Sequence, residues 1–141
     1  MFVSNKFTIA VHTLLCIQHF GKDFKVTSDF IASSVGANPV IIRRTLIALK
    51  AAGLIEVAQG TGGARLIKKP REINLYDIYA AVDDAGKRLF HFHEQPNPRC
   101  PVGRNIHSVL DGHLDAAQKS FEASLAAVNL ADLVADLAKK I

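Results

Sequence analysis

Most of this chain carries apolar residues at helical spacing. Phe7, Val11, Leu14 and Leu15 recur every three or four positions behind Ser4 or Asn5, either of which can cap a helix, and Gly21 ends the run. This first helix is expected in the core. A brief second helix, Asp29–Val35 behind Thr27 or Ser28, buries Phe30 and Ile31 and stops at Gly36. After the tight Gly36-Ala37 turn, Asn38 is a good N-cap and Pro39 a good first helical residue, because proline has no N–H to lose there. A third helix therefore runs from Pro39 to about Ala52, with Gly53 as its left-handed stop and Ile42, Leu46 and Leu49 as its apolar stripe. Two short β-prone runs follow, Leu54–Gln59 and Ala64–Lys68, joined by Gly60-Thr61-Gly62-Gly63, where glycines permit the positive φ of a hairpin tip.

Asn74 caps a fourth predicted helix, Leu75–Val82, whose stripe is Leu75, Ile78, Tyr79 and Val82. The pattern breaks up from Asp83 to Arg99 and reads as a loop, with the short alternation Leu89-Phe90-His91-Phe92-His93 inside it. After Pro101, Ile106, Leu110, Leu114, Ala117, Phe121, Leu125 and Val128 step by fours and threes, close to a heptad seam. A helix of about 24 residues is roughly 36 Å long, more than so small a domain needs, and such a seam calls for a partner helix. Leu110, Leu114, Ala117, Phe121 and Leu125 are thus the predicted homodimer interface, with His113 beside them. A last helix, Leu130 to Lys139 behind Asn129, can fold back or pack on the partner.

The outward face of the third helix presents Val40, Arg43, Arg44, Ile47 and Lys50. Two helices joined by a short turn, the second basic on its outer side and followed by a glycine-tipped hairpin, form the signature of a winged helix-turn-helix. The predicted fold is therefore mainly α with a small β-hairpin wing and a long C-terminal dimerisation helix. Its divisions are a DNA-binding unit over 1–83, a loop and possible sensor over 84–103, and dimerisation helices over 104–141.

Charge sharpens this picture. Between Pro39 and Arg71 stand seven basic residues and one acidic one, Glu56, a local excess of +6 within a chain whose net charge is +4. Such a segment is an electrostatic footprint for phosphates. An α-helix fits the major groove, where arginine pairs with guanine O6 and N7, so Arg43 and Arg44 are the leading candidates for base reading. Val40 and Lys50 share their face, and Asn38 is explained mainly as a cap. In the wing, Gln59, Thr61 and Arg65 stand at or beside the glycines, where they can reach the minor groove or the backbone. Lys68 and Lys69 add non-specific attraction.

Cysteine is scarce. Cys16 lies in an apolar run, as a small hydrophobe would, and Cys100 in a proline-rich loop, so no disulfide framework is expected and a reducing cytoplasm fits. The opening apolar run is interrupted by Thr8, His12 and Thr13 and has no basic leader, so no membrane segment is expected. Cys100, between Arg99 and Arg104, is a candidate redox sensor, and it could join His91 and His93 in a metal-responsive site. The plain alternatives are an inert loop cysteine and a histidine pair without metal.

The ordered set Ile31-Ala32-Ser33-Ser34-Val35-Gly36-Ala37-Asn38-Pro39, Arg43-Arg44-Thr45-Leu46, Leu49 with Gly53-Leu54-Ile55, Gly60-Thr61-Gly62-Gly63 and Leu75-Tyr76-Asp77-Ile78 resembles the Rrf2 family of bacterial winged-helix regulators. The stretch Cys100-Pro101-Val102-Gly103-Arg104-Asn105-Ile106 is similar to its YwnA-like subgroup. The resemblance implies a dimer that binds a partly palindromic operator on double-stranded DNA and usually represses. Cluster-bearing members place three cysteines before the long helix, and this chain has only Cys100 there, so no cofactor is expected and an iron–sulfur cluster is not carried over. Two readings of other classes stand beside this one. One is a winged-helix module that docks an acidic protein; the other is a small metal-dependent enzyme built on His91, His93, Cys100 and His107.

Overall fold

The computed structural model describes residues 4–60, 62–83 and 88–141. Its helices are α1 Asn5–Phe20, α2 Ser28–Val35, α3 Pro39–Ala51, α4 Leu75–Val82, α5 Pro101–Ala126 and α6 Leu130–Ala138; strands β1 Ile55–Val57 and β2 Ala64–Leu66 form the hairpin, and Pro70–Glu72 is a 3-10 turn. The predicted caps operate as their chemistry requires. Ser4 Oγ accepts from the Lys6 amide, Thr27 Oγ1 from Phe30 at 3.2 Å, and Asn38 Oδ1 from Val40 at 2.9 Å. Gly36 takes φ +78°, a left-handed stop that lets α2 turn directly into α3.

Helix α1 lies in the middle and packs against α2, α3, α4, α6 and β2. Around Leu14 gather Ile31, Ile42, Leu49, Ile55, Ile78 and Leu130, all essentially withdrawn from water. This shared core joins the helix-turn-helix to the wing. The ladder pairs Ile55 with Leu66, Glu56 with Arg65 and Val57 with Ala64, shorter than the runs expected over 54–59 and 64–68. Single amide bonds, Ala58 to the Gly63 carbonyl and Ile67 to the Leu54 carbonyl, extend the pairing by one step at each end.

Two features were not legible beforehand. Val26, in the connection between α1 and α2, is buried and its carbonyl accepts from Ala64, adding a one-residue third strand position beside β2. A single bridging residue has no period for a pattern to show. The approach is so close that a Cβ on Gly63 would stand 2.9 Å from the Val26 nitrogen, and Gly63 also has φ +78°, so only glycine fits.

The second feature is the stitching of α4 to α6. Both begin with the same reciprocal cap, Asn74 with Asp77 and Asn129 with Asp132. Their starts lie side by side, Leu75 donating to the Val128 carbonyl and Leu130 to that of Ile73. Helix α6 thus folds back into the core of the N-terminal unit through Leu130, Leu133 and Val134. The expected dimerisation segment 104–141 divides accordingly: α6 belongs to the winged-helix body and α5 alone is left as the long arm.

Helix α5 has no fully buried residue along its 26 positions. Part of its seam is covered by its own chain. The Phe121 ring meets that of Tyr79 edge-on at 5.5 Å, the Leu89 amide donates to Gln118, and Arg88 pairs with Asp115 at 3.4 Å. Leu110, Leu114, Phe121 and Leu125 are half-buried on that side, whereas Ala117 is exposed. On the adjoining flank Val102 and Val109 are 70% and 62% exposed. No helix among the described residues is long and apolar enough to cross a membrane.

Candidate nucleic-acid interface

The two faces of α3 separate as their residue types dictate. Ile42, Thr45, Leu46 and Leu49 point inward, and the Thr45 hydroxyl satisfies itself by donating to the Ile41 carbonyl at 2.9 Å. Val40, Arg43, Arg44, Ile47 and Lys50 are exposed, as is Asn38, whose side-chain oxygen is committed to the cap. Between α3 and the wing lies an open cleft of about 540 Å³, lined among others by Asp29, Arg43, Ile47, Lys50 and Gly60. Asp29 was not singled out from the sequence. It sits in the first turn of α2, and its carboxylate lies 3.6 Å from the Arg43 guanidinium, a neighbour that only the folded turn creates.

In the wing, Gln59 is exposed, and Arg65 is exposed but pairs across the ladder with Glu56. That cross-strand pair is surface-exposed and holds the Arg65 stem along the wing. Thr61, named as a wing contact, lies outside the described residues. Lys68, Lys69 and Arg71 continue the basic surface beyond β2.

The residues grouped as a possible sensor do not converge. His91 and His93 are exposed while the alternating Phe90 and Phe92 are half-buried, the pattern expected of an extended strip. His107 is engaged elsewhere, its Nδ1 lying 3.2 Å from Asp111 and its ring 4.3 Å from that of Phe92. Among the described residues no three His, Cys, Asp or Glu side chains gather as a metal site.

Cys100 is the N-cap of α5, and the backbone amides of Gly103 and then Val102 hold its thiol below the ordinary value, against a smaller upward push from burial. The cause is the helix start rather than the arginines expected from the sequence. Cys16, by contrast, is 5% exposed. Iodoacetamide at neutral pH should therefore label Cys100 well before Cys16 in the native protein, with peptide mass spectrometry reading the order. Equal labelling of both would show that the α1 packing opens readily.

A basic outward helix set on a buried inner face, a preceding capping turn and an adjacent glycine wing define a winged helix-turn-helix regulator. The comparisons with known proteins agree. Residues 3–136 match the Rrf2 family, described as an iron-dependent transcriptional regulator, and the chain belongs to that family. It is 38% identical over 132 residues to YwnA of Bacillus subtilis, named as an HTH-type transcriptional regulator, with 94% of this chain and 96% of that one covered. Among solved structures, a protein from Lactobacillus plantarum named as a transcriptional regulator superposes with TM-score 0.79 at 28% identity, covering 94% of this chain and 89% of the other. The IscR of T. potens superposes with TM-score 0.72 at 26% identity, over 97% and 88%. The chain is a transcriptional regulator, and the proteins it resembles are regulators rather than enzymes.

Proposed function

We propose that two copies of this chain bind a partly palindromic operator in cytoplasmic DNA and repress from it. Each copy sets α3 into the major groove and its wing against the neighbouring backbone or minor groove. The observation that carries this is the outward face of α3: Arg43, Arg44 and Lys50 stand free of the core, and Arg43 and Lys50 line the cleft beside the wing. Arg43 and Arg44 read bases, Val40 and Lys50 flank them, and Gln59 and Arg65 act from the wing. Residues 1–83 with α6 form the reading unit, and α5 supplies the contact between copies through its seam and the exposed Val102–Val109 flank. Two-fold symmetry then spaces the half-sites about one helical turn, roughly 34 Å, apart.

The family's description names iron, and the donor set here does not suit an iron–sulfur cluster. A cluster calls for four thiolates or close substitutes. The chain has two cysteines, one enclosed in the α1 packing and one at the start of α5. The proposed regulator therefore works without a cluster.

Fluorescence anisotropy with duplexes selected from a random pool tests the reading. A preferred sequence should emerge, with affinity falling linearly on a log–log salt plot by about 0.9 per phosphate contacted. Indifferent weak binding to every duplex, with saturable binding to an acidic protein instead, would replace it by the protein-docking alternative.

A further inference from the structure

The reading face of α3 is not uniformly cationic. Val40, Arg43, Arg44 and Ile47 stand at i, i+3, i+4 and i+7, so the two arginines are bracketed by aliphatic side chains along one face. Neither Val40 nor Ile47 is a core residue, and both are exposed. Ile47 is 68% exposed and lines the cleft that faces the wing. A single exposed aliphatic residue needs no explanation. A pair bracketing the base-reading cations on a face meant to meet duplex DNA does, because polar base edges reward neither side chain. The major groove offers one apolar group, the C5-methyl of thymine.

We infer that Val40 and Ile47 each bury a pyrimidine C5-methyl group, so that the half-site places thymines on both sides of the bases read by Arg43 and Arg44. The inference rests on α3 being the reading helix, as proposed above. A single buried methyl corresponds to about a fourfold change in affinity.

The test uses the full-length protein and the duplex it selects from a random pool. Each thymine is replaced in turn by deoxyuridine, which deletes the methyl and keeps the base pair. Wild-type protein should bind about fourfold more weakly at each of two positions per half-site. In Ile47→Ala the position facing Ile47 should become indifferent to the methyl while the other stays sensitive, and Val40→Ala should show the converse. At the Ile47 position, 5-methylcytosine should bind more tightly than cytosine, which separates the methyl from the rest of thymine. Both side chains are exposed, so alanine there leaves the core untouched.

Insensitivity of the wild type to every deoxyuridine overturns the inference. So does equal methyl sensitivity in the wild type and both variants, or no gain from 5-methylcytosine. If the pool yields no preferred duplex at all, the DNA reading itself has failed, an outcome distinct from a selected operator without methyl dependence.

Discussion

Replacing Arg43 and Arg44 together by alanine is expected to lower the affinity for each operator half-site by a factor of about 10² to 10⁴, because each bidentate arginine–guanine pair contributes roughly 1–3 kcal/mol of discrimination. Binding to unrelated duplexes should fall far less, since most of that attraction comes from phosphates met by other basic residues. The fold should not notice. Both side chains are exposed, and the one ion pair either makes among the described residues, Arg43 with Asp29 at 3.6 Å, lies in solvent where such pairs contribute about 0–1 kcal/mol. Arg43→Lys with Arg44→Lys is the informative companion. It keeps both charges but loses the planar fork, so it should retain non-specific binding and lose preference for the operator. Electrophoretic retardation on operator and scrambled duplexes, with thermal unfolding alongside, reads all of these effects. If retardation of the operator survives the alanine pair, base reading belongs to the wing instead.

What could be read beforehand and what could not have a common cause. The caps Asn38 and Asn74, the Gly36 turn and the Ile42–Leu46–Leu49 stripe are local, each decided by residues within one or two helical turns, and all of them fold as their chemistry predicts. The outward set on α3 follows once its inner stripe is fixed. Asp29 beside Arg43, Val26 beside Ala64 and the stitched starts of α4 and α6 are juxtapositions across long stretches of chain, and no periodicity encodes them. The α5 seam falls between these cases. Its heptad spacing was visible, but a pattern cannot say how much of a stripe the chain's own loop will cover.

That partial cover decides how α5 should be tested. Phe121 already rests against Tyr79, and the half-buried Leu110 and Leu114 line a cavity shared with the Leu89–His93 strip, so charging them would damage the single chain as well as any dimer. Val102 and Val109 are seven residues apart on the neighbouring flank, exposed and outside the core cluster. A helix of 26 residues spans about 39 Å, and in the proposed dimer such an arm, with apolar side chains bared to water along its first half, gains by pairing with its counterpart. Val102→Glu with Val109→Glu places like charges across that contact. Light scattering should then report the monomer mass of 15.3 kDa, while circular dichroism stays that of the wild type. Operator affinity should fall about 10²- to 10⁴-fold, because two half-sites joined through one dimer become two separate and weaker events. Each monomer keeps α3 and the wing intact, so single half-site binding should be unchanged. A variant that still runs at twice the monomer mass with full operator affinity would place the contact between copies on another surface.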